Sequence, residues 1–112
     1  HGHSKVHSHY KLPIINKSLK YLNTHDFKAF RNKKSFFSMT AHIVYNKIDH
    51  INPATHSKKI IKLIRHKLFF KNLIMSDDIS MKALKFNIVK NTKLAFTAGC
   101  NLVLHCMEIY QK

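Results

Sequence analysis

Two adjacent carboxylates, Asp77 and Asp78, follow an apolar run over residues 73–75 and precede a pattern typical of a helix. A buried parallel strand has this appearance when it carries an acidic residue to the rim of an α/β barrel, where ligands bind. Because the strand fixes its position, a carboxylate there is a candidate for chemistry. The alternative is a plain charge pair at a helix N-terminus, where the helix dipole favours negative side chains.

Histidines supply the other candidate groups. His42 falls at the expected end of a strand, so it either lines a ligand pocket or forms hydrogen bonds at the rim. A cluster near the start consists of His1, His3, His7 and His9. Imidazoles at this spacing can bind Zn²⁺ or Ni²⁺, but no cysteine or carboxylate lies nearby, so we predict no metal site and no cofactor. The remaining histidines are predicted to be ordinary surface or rim residues: His25, His50, His56, His66 and His105.

The charge balance is strongly basic. The 112 residues suffice for one small domain and carry 20 Lys+Arg against 5 Asp+Glu, a formal net charge of +15. Such an excess suggests nucleic acid or an anionic surface as a partner. The lysines are scattered rather than gathered into one block, so a basic nucleic-acid-binding module is the less favoured interpretation.

Targeting signals and cysteines bear on location. No apolar run approaches the ~20 residues that cross a bilayer, and no signal segment is apparent. The first residue is His1 and not Met, which indicates a partial or processed sequence. If the run between Cys100 and Cys106 is a strand, the two lie roughly 20 Å apart, whereas a disulfide needs Cα atoms within about 7 Å. We therefore predict two buried thiols in a cytoplasmic protein that does not contact a membrane.

The apolar pattern alternates between helix and strand. The predicted order is a loop over 1–13, a broken helix over 14–31, a strand over 35–45, a loop over 46–56, a helix over 58–68, a strand over 72–76, a helix over 81–98 and a strand over 101–105. Ser57 is the expected N-cap of the helix over 58–68, whose Arg65 can stay in water, and Gly99 is the expected stop of the last helix. Alternation of this kind indicates parallel strands joined by crossover helices, and strands that are apolar on both faces fit a sheet covered by helices.

Five segments occur in a fixed order along the chain: Thr40-Ala41-His42, Pro53-Ala54-Thr55, the helix to Leu68, the run from Leu73 to Met81 containing Ser-Asp-Asp-Ile-Ser-Met, and the run from Ala98 to Leu104. This set resembles glycoside hydrolase family 3, in particular the bacterial β-N-acetylglucosaminidases (β-N-acetylhexosaminidases) of peptidoglycan recycling. His1-Gly2 and Ser8-His9 resemble the end of that family's catalytic loop. The resemblance extends from His1 to about Cys106, and residues 107–112 diverge.

The resemblance implies an α/β fold that forms part of a (β/α)8 TIM barrel. The chain would be about the C-terminal half, with residues 1–13 as the catalytic loop and residues 14–106 as β/α units. A complete barrel needs about 200–250 residues or more. The missing half-barrel or a second copy of the chain is therefore an expected partner.

The resemblance also implies a chemistry. Asp77 matches the nucleophile of a retaining glycosidase, and His9 matches the acid/base. The family has an aspartate two residues before that histidine, where this chain has His7, which supplies no fixed negative charge. The expected substrate is terminal β-N-acetylglucosamine on cell-wall fragments. The alternative is an inactive remnant that has inherited the motif without a complete pocket.

Overall fold

The computed structural model describes residues 5–6 and 11–106. The strands are β1 (Ile14–Ile15), β2 (Phe37–Met39), β3 (Val44–Tyr45) and β4 (Leu73–Met75). The α-helices are α1 (Leu19–Thr24), α2 (Lys58–His66) and α3 (Ile88–Ala98), and single 3₁₀ turns lie at Phe27–Phe30 and Ala54–His56.

All strand pairing in this part of the chain is parallel. β1 pairs with β3, β2 pairs with β4, and an isolated parallel bridge joins Met75 to Leu102. β2 and β3 lie on the same stretch of chain. The four neighbouring segments are therefore β1, the stretch that contains β2 and β3, β4 and the segment around Leu102, and they lie side by side in the order in which they occur along the chain. Parallel neighbours joined through helices are what the alternating pattern predicted.

The predicted strand over 35–45 is divided in two. β2 pairs with β4 on one side, whereas β3 pairs with β1, and residues 40–43 between them make no ladder. The interruption contains Thr40 and His42, both buried, whose side chains form hydrogen bonds with Thr55. The apolar pattern of the stretch is real, but polar side chains inside it bend the strand.

Two other segments correct the sequence-based expectations. The stretch over 14–31, predicted as a broken helix, begins with β1, and only α1 and a 3₁₀ turn are helical. The predicted strand over 101–105 is reduced to the single bridge at Leu102. In both places the apolar runs are too short for the predicted element. Residues 14–31 cannot form enough helical turns for one helix, and residues 101–105 cannot form enough backbone pairs for a strand.

The helix boundaries follow local capping chemistry. The Ser57 hydroxyl accepts a hydrogen bond from the Ile60 amide, which confirms it as the N-cap of α2. Asn87 caps α3 in the same way, so the predicted helix over 81–98 begins only at residue 88. Arg65 is half-buried: its guanidinium donates to the carbonyls of Phe70 and Asn72 and thereby joins α2 to the start of β4.

Helix α2 separates two apolar clusters. The first contains the buried side chains of Ile15, Leu22, Phe27, Ile43, Leu63 and Leu68. The second contains those of Ile61, Phe70, Ile74, Ala95, Ala98 and Cys100. Because α2 contributes to both, it holds the β1–β3 pair and the end of β4 in one framework.

Cys100 is buried as predicted, but Cys106 is exposed, which corrects the expectation of two buried thiols; both are free. None of the helices among the described residues has the length and apolar character needed to span a bilayer.

Replacing Gly99 with Ala is expected to lower the free energy of unfolding by about 2–4 kcal/mol, from backbone strain together with overpacking. Gly99 ends α3 with φ of +122°, and a Cβ atom there would lie 2.8 Å from Cγ2 of Ile61. Urea denaturation of the chain measures the change. Thr97→Ala, an exposed position in the same turn, is the matched control and should change the value by no more than about 0.5 kcal/mol. A loss below about 0.5 kcal/mol for Gly99→Ala would contradict this packing.

Candidate active site

The carboxyl end of β4 is held by hydrogen bonds on both sides of Ser76. Ser76 is fully buried; its amide donates to the carbonyl of Leu102 at 3.0 Å, and its hydroxyl accepts from the amide of Leu104 at 3.0 Å. On the other side, the Thr40 amide donates to the carbonyl of Met75 at 2.8 Å. The strand therefore delivers residues 77 and 78 to a defined position.

Asp77 is half-buried at this end of the strand. One oxygen of its carboxylate accepts a hydrogen bond from the Asp78 amide at 2.8 Å. Among the residues that the structure describes, this amide is the one donor to the Asp77 carboxylate. A carboxylate held by a single backbone bond at a strand end keeps a second oxygen for a ligand.

Asp78 is occupied differently. One oxygen of its carboxylate accepts from the Ser80 amide, the Ser80 hydroxyl and the Cys106 amide at 2.9, 2.7 and 3.1 Å. Burial raises the pKa of Asp78, but these hydrogen bonds outweigh burial, and its pKa lies below the ordinary value. The Asp78 carboxylate therefore supports the loop through these hydrogen bonds.

His42 lies directly beneath this loop and is completely buried. Its Nε2 is 2.7 Å from the carbonyl oxygen of Asp78, and its Nδ1 is 2.8 Å from the hydroxyl of Thr55. Burial lowers the pKa of His42, against smaller opposing effects of the Asp78 carbonyl and the two carboxylates. Of the two interpretations of His42, the geometry favours the hydrogen-bonded residue over one that lines a pocket.

Two residues near His42 carry significance that the sequence did not reveal. Thr55 belongs to Pro53-Ala54-Thr55, a segment that contributed to the family resemblance but suggested no chemical role, yet its hydroxyl joins His42 to Thr40. His56, predicted at the surface or rim, is instead 8% exposed. Burial and the neighbouring His42 lower the pKa of His56 to about 4, although the backbone of Asn91 opposes the shift. Its Nε2 has no hydrogen-bond partner in the described part of the chain.

The structure does not describe every predicted site residue. His7 and His9, like His1 and His3, fall outside the described residues. Within residues 5–6 and 11–106, no group of three or more His, Cys, Asp or Glu side chains could hold a metal ion.

An apolar cavity of about 420 Å³ lies between β2 and α2, lined by side chains such as Phe37 and Leu63, and Asp77 is not part of it. The structure therefore brings together Asp77, Asp78 and His42 and leaves Asp77 at an open edge.

The family follows from comparison with known proteins. The family model that describes the glycosyl hydrolase family 3 N terminal domain matches residues 1–112 of the chain. The chain belongs to glycosyl hydrolase family 3. It is 35% identical over 115 residues to the β-hexosaminidase of Haemophilus influenzae, and the match covers 96% of the chain. Among solved structures it is similar to CbsA from Thermotoga neapolitana, with a TM-score of 0.84 and 38% identity over 94% of the chain. It is also similar to NagZ from Neisseria gonorrhoeae, with a TM-score of 0.82 and 34% identity over 95% of the chain.

These family 3 relatives are much longer. The chain spans 32% of the Haemophilus protein, 26% of CbsA and 32% of the gonococcal NagZ. The solved relatives share the placement of the described elements, so the α/β fold with parallel strands is that of family 3. The chain accordingly corresponds to about a third of such a protein.

Proposed function

We propose that this chain supplies the nucleophile-bearing part of a family 3 glycosidase that hydrolyses terminal β-N-acetylglucosamine. The carrying observation is the position of Asp77, half-buried at the carboxyl end of a parallel strand with one carboxylate oxygen held by the Asp78 amide. This edge of an α/β barrel is where catalytic side chains collect. The gonococcal NagZ, a similar structure, binds N-trifluoroacetyl-D-glucosamine, which supports an N-acetylglucosamine substrate.

The proposed reaction is retaining and has two steps. The Asp77 carboxylate attacks the anomeric carbon while the leaving-group oxygen takes a proton from His9, and a glycosyl ester forms on Asp77. His9 then takes a proton from water, which attacks the same carbon, and the carboxylate leaves. An imidazole suits both halves near neutral pH because its ordinary pKa lies close to 6.5.

We further propose that the described elements are later units of a (β/α)8 barrel, with residues 1–13 as the catalytic loop and 14–106 as β/α units. Several apolar side chains on β2 and just before it stay exposed, among them Phe36 (81%), Phe37 (52%) and Met39 (51%). Exposed apolar runs at a sheet edge call for a covering partner. The remaining barrel units are the proposed partner. Cell-wall fragments handled in the cytoplasm, as in peptidoglycan recycling, are the proposed substrates.

A specific observation favours a second candidate, a truncated remnant without activity. Asp77 lies at an open edge, and the apolar cavity of the chain lies away from it. Besides a nucleophile, a glycosidase needs hydrogen-bonding side chains around the sugar, because several kcal/mol of transition-state stabilisation come from those contacts. The isolated chain would then carry the motif in an incomplete pocket.

The deciding experiment measures release of nitrophenol from 4-nitrophenyl N-acetyl-β-D-glucosaminide. It uses the 112-residue chain and a completed chimera, in which this chain replaces the matching third of the Haemophilus β-hexosaminidase. Activity of the completed chimera that is lost with Asp77→Ala supports the proposal. Activity of the chain alone would reject the remnant. A folded but inactive completed chimera would reject the proposal.

Replacing His7 with Asp in the completed chimera is expected to raise kcat roughly 10-fold, within the range that a positioned acid/base contributes. A carboxylate two residues before His9 would favour the charged, proton-donating imidazole, whereas a second imidazole disfavours it by like-charge repulsion. The pH profile of kcat measures this directly, because its basic limb should move to higher pH. His3→Asp is the control and should leave the profile unchanged. Equal turnover with His or Asp at position 7 would show that His9 does not need the negative partner.

A further inference from the structure

The contacts of His42 permit one arrangement of hydrogen atoms. The Asp78 carbonyl, 2.7 Å from Nε2, is only an acceptor, so Nε2 must carry a proton. In a ring this deeply buried the second proton is disfavoured, because both ring nitrogens contact neutral groups, the Asp78 carbonyl and the Thr55 hydroxyl. His42 is therefore neutral, and its Nδ1 is an acceptor.

The acceptor character of Nδ1 determines the direction of the neighbouring hydrogen bonds. Thr55 is the hydroxyl within reach of Nδ1, at 2.8 Å, and must donate its single proton there. Its longer contact, 3.3 Å to the carbonyl of Ala41, then receives no proton. Thr40, 2.8 Å from the Thr55 oxygen, must donate to it. Protons thus point from Thr40 to Thr55 and from Thr55 to His42; we call this chain of hydroxyls the threonine relay.

The threonine relay is connected to the candidate nucleophile through two residues, His42 and Asp78. Each polar group of Asp78 is engaged: its carbonyl accepts from His42 and also from the Met81 amide at 3.2 Å, and its carboxylate accepts from Ser80 and Cys106. Its amide, in turn, donates to the Asp77 carboxylate at 2.8 Å. A rotation of the Asp78 backbone would therefore turn that amide away from Asp77.

We propose that His42 is a positioning residue. The neutral imidazole, protonated on Nε2, donates a hydrogen bond to the Asp78 carbonyl and so fixes the Asp78 backbone, whose amide orients the Asp77 carboxylate. The Asp78 carbonyl selects this tautomer, and the threonine relay supports it from the interior by donating to Nδ1. The inference rests on the proposed function, because the aim of Asp77 matters only if Asp77 reacts. It goes beyond that function by assigning roles to three buried residues, Thr40, Thr55 and His42.

The first test observes the tautomer without any reaction. The full chain is labelled with ¹⁵N-histidine, and the His42 signals are assigned by their loss in His42→Gln. We expect His42 to show a protonated Nε2 and an unprotonated Nδ1 from pH 6 to 8. In Thr55→Val the Nδ1 resonance should move toward the value of an unbonded imidazole nitrogen, whereas Thr55→Ser should restore it. A protonated Nδ1 or the averaged tautomers of a solvent-exposed histidine would overturn the proposal.

The second test is kinetic and uses the completed chimera. Thr55→Val should lower kcat about 10-fold to 100-fold and leave KM within about threefold, because substrate contacts stay intact while Asp77 is mis-aimed. Thr55→Ser should keep kcat within about threefold. An unchanged kcat in Thr55→Val, or a change in KM alone, would overturn the proposal. If the parent chimera is folded and inactive but His42 keeps the predicted tautomer, the proposed function has failed while the threonine relay is supported.

Discussion

Asp77→Asn should lower kcat/KM of the completed chimera on the order of 10⁴-fold, comparable with the loss of other enzymic nucleophiles. The amide keeps the size of the side chain and can still accept from the Asp78 amide, so the loop should keep its shape. What it loses is the ability to form and release a glycosyl ester. Initial rates with 4-nitrophenyl N-acetyl-β-D-glucosaminide, together with the melting temperature, separate a chemical loss from a folding loss.

Asp78→Asn is the matched control, because it removes the same charge one residue away. The Asp78 oxygen accepts from Ser80 and Cys106, and an amide oxygen can take the same bonds. We expect kcat/KM within about tenfold of the parent and a lower melting temperature, because neutral acceptors form weaker hydrogen bonds than carboxylates. If Asp78→Asn lost as much activity as Asp77→Asn, or if Asp77→Asn kept activity within tenfold, the assignment of the nucleophile would be wrong.

His56→Leu should remove much of the acid sensitivity of the fold. The pKa of His56 is about 4 in the folded chain, against an ordinary value of 6.5. Below pH 6.5 the His56 imidazole is protonated in the unfolded chain but stays neutral in the folded chain. The free energy of unfolding therefore falls as the pH decreases toward 4. Between pH 7.5 and pH 5.0 this group should cost about 2 kcal/mol, since one pKa unit corresponds to about 1.4 kcal/mol.

The measurement is urea denaturation of the chain at pH 7.5 and pH 5.0. The parent should lose about 2 kcal/mol more between the two values than His56→Leu does. The lowered pKa of His42 adds a loss of the same sign in both proteins, so the difference between them measures His56 together with its electrostatic coupling to His42. His66→Leu is the control, because His66 is exposed at the end of α2, and this variant should keep the acid loss of the parent. An identical pH dependence in the parent and His56→Leu would contradict the burial of this ring.

Features determined by local chemistry could be predicted from the sequence. The apolar run before Asp77 forms β4, Ser57 caps α2, and Gly99 ends α3 with a positive φ. Each depends on residues within a few positions of one another: a short buried run, a hydroxyl before a helix, a residue without a Cβ atom. The parallel arrangement followed from the alternation of these elements.

Features determined by distant contacts could not. The bend that divides β2 from β3 depends on hydrogen bonds between Thr40 or His42 and Thr55, 15 and 13 positions away. His56 is buried through packing of its 3₁₀ turn, and no local pattern distinguishes it from an exposed histidine. Phe69 adopts φ of +57°, a left-handed conformation that its residue type does not suggest. The roles of His9 and His7 stay predictions from the family resemblance.

The most direct test of Asp77 as nucleophile is to trap the glycosyl-enzyme. A 5-fluoro N-acetylglucosaminyl fluoride reacts with a retaining glycosidase faster than the resulting ester hydrolyses, because the ring fluorine destabilises the oxocarbenium-like transition state while fluoride is a good leaving group. The completed chimera is incubated with this reagent, digested at low pH and examined by peptide mass spectrometry. We predict a single N-acetyl-5-fluoroglucosaminyl adduct on Asp77, absent from Asp77→Asn. A folded, active chimera with no adduct, or with its adduct on another residue, would contradict the assignment.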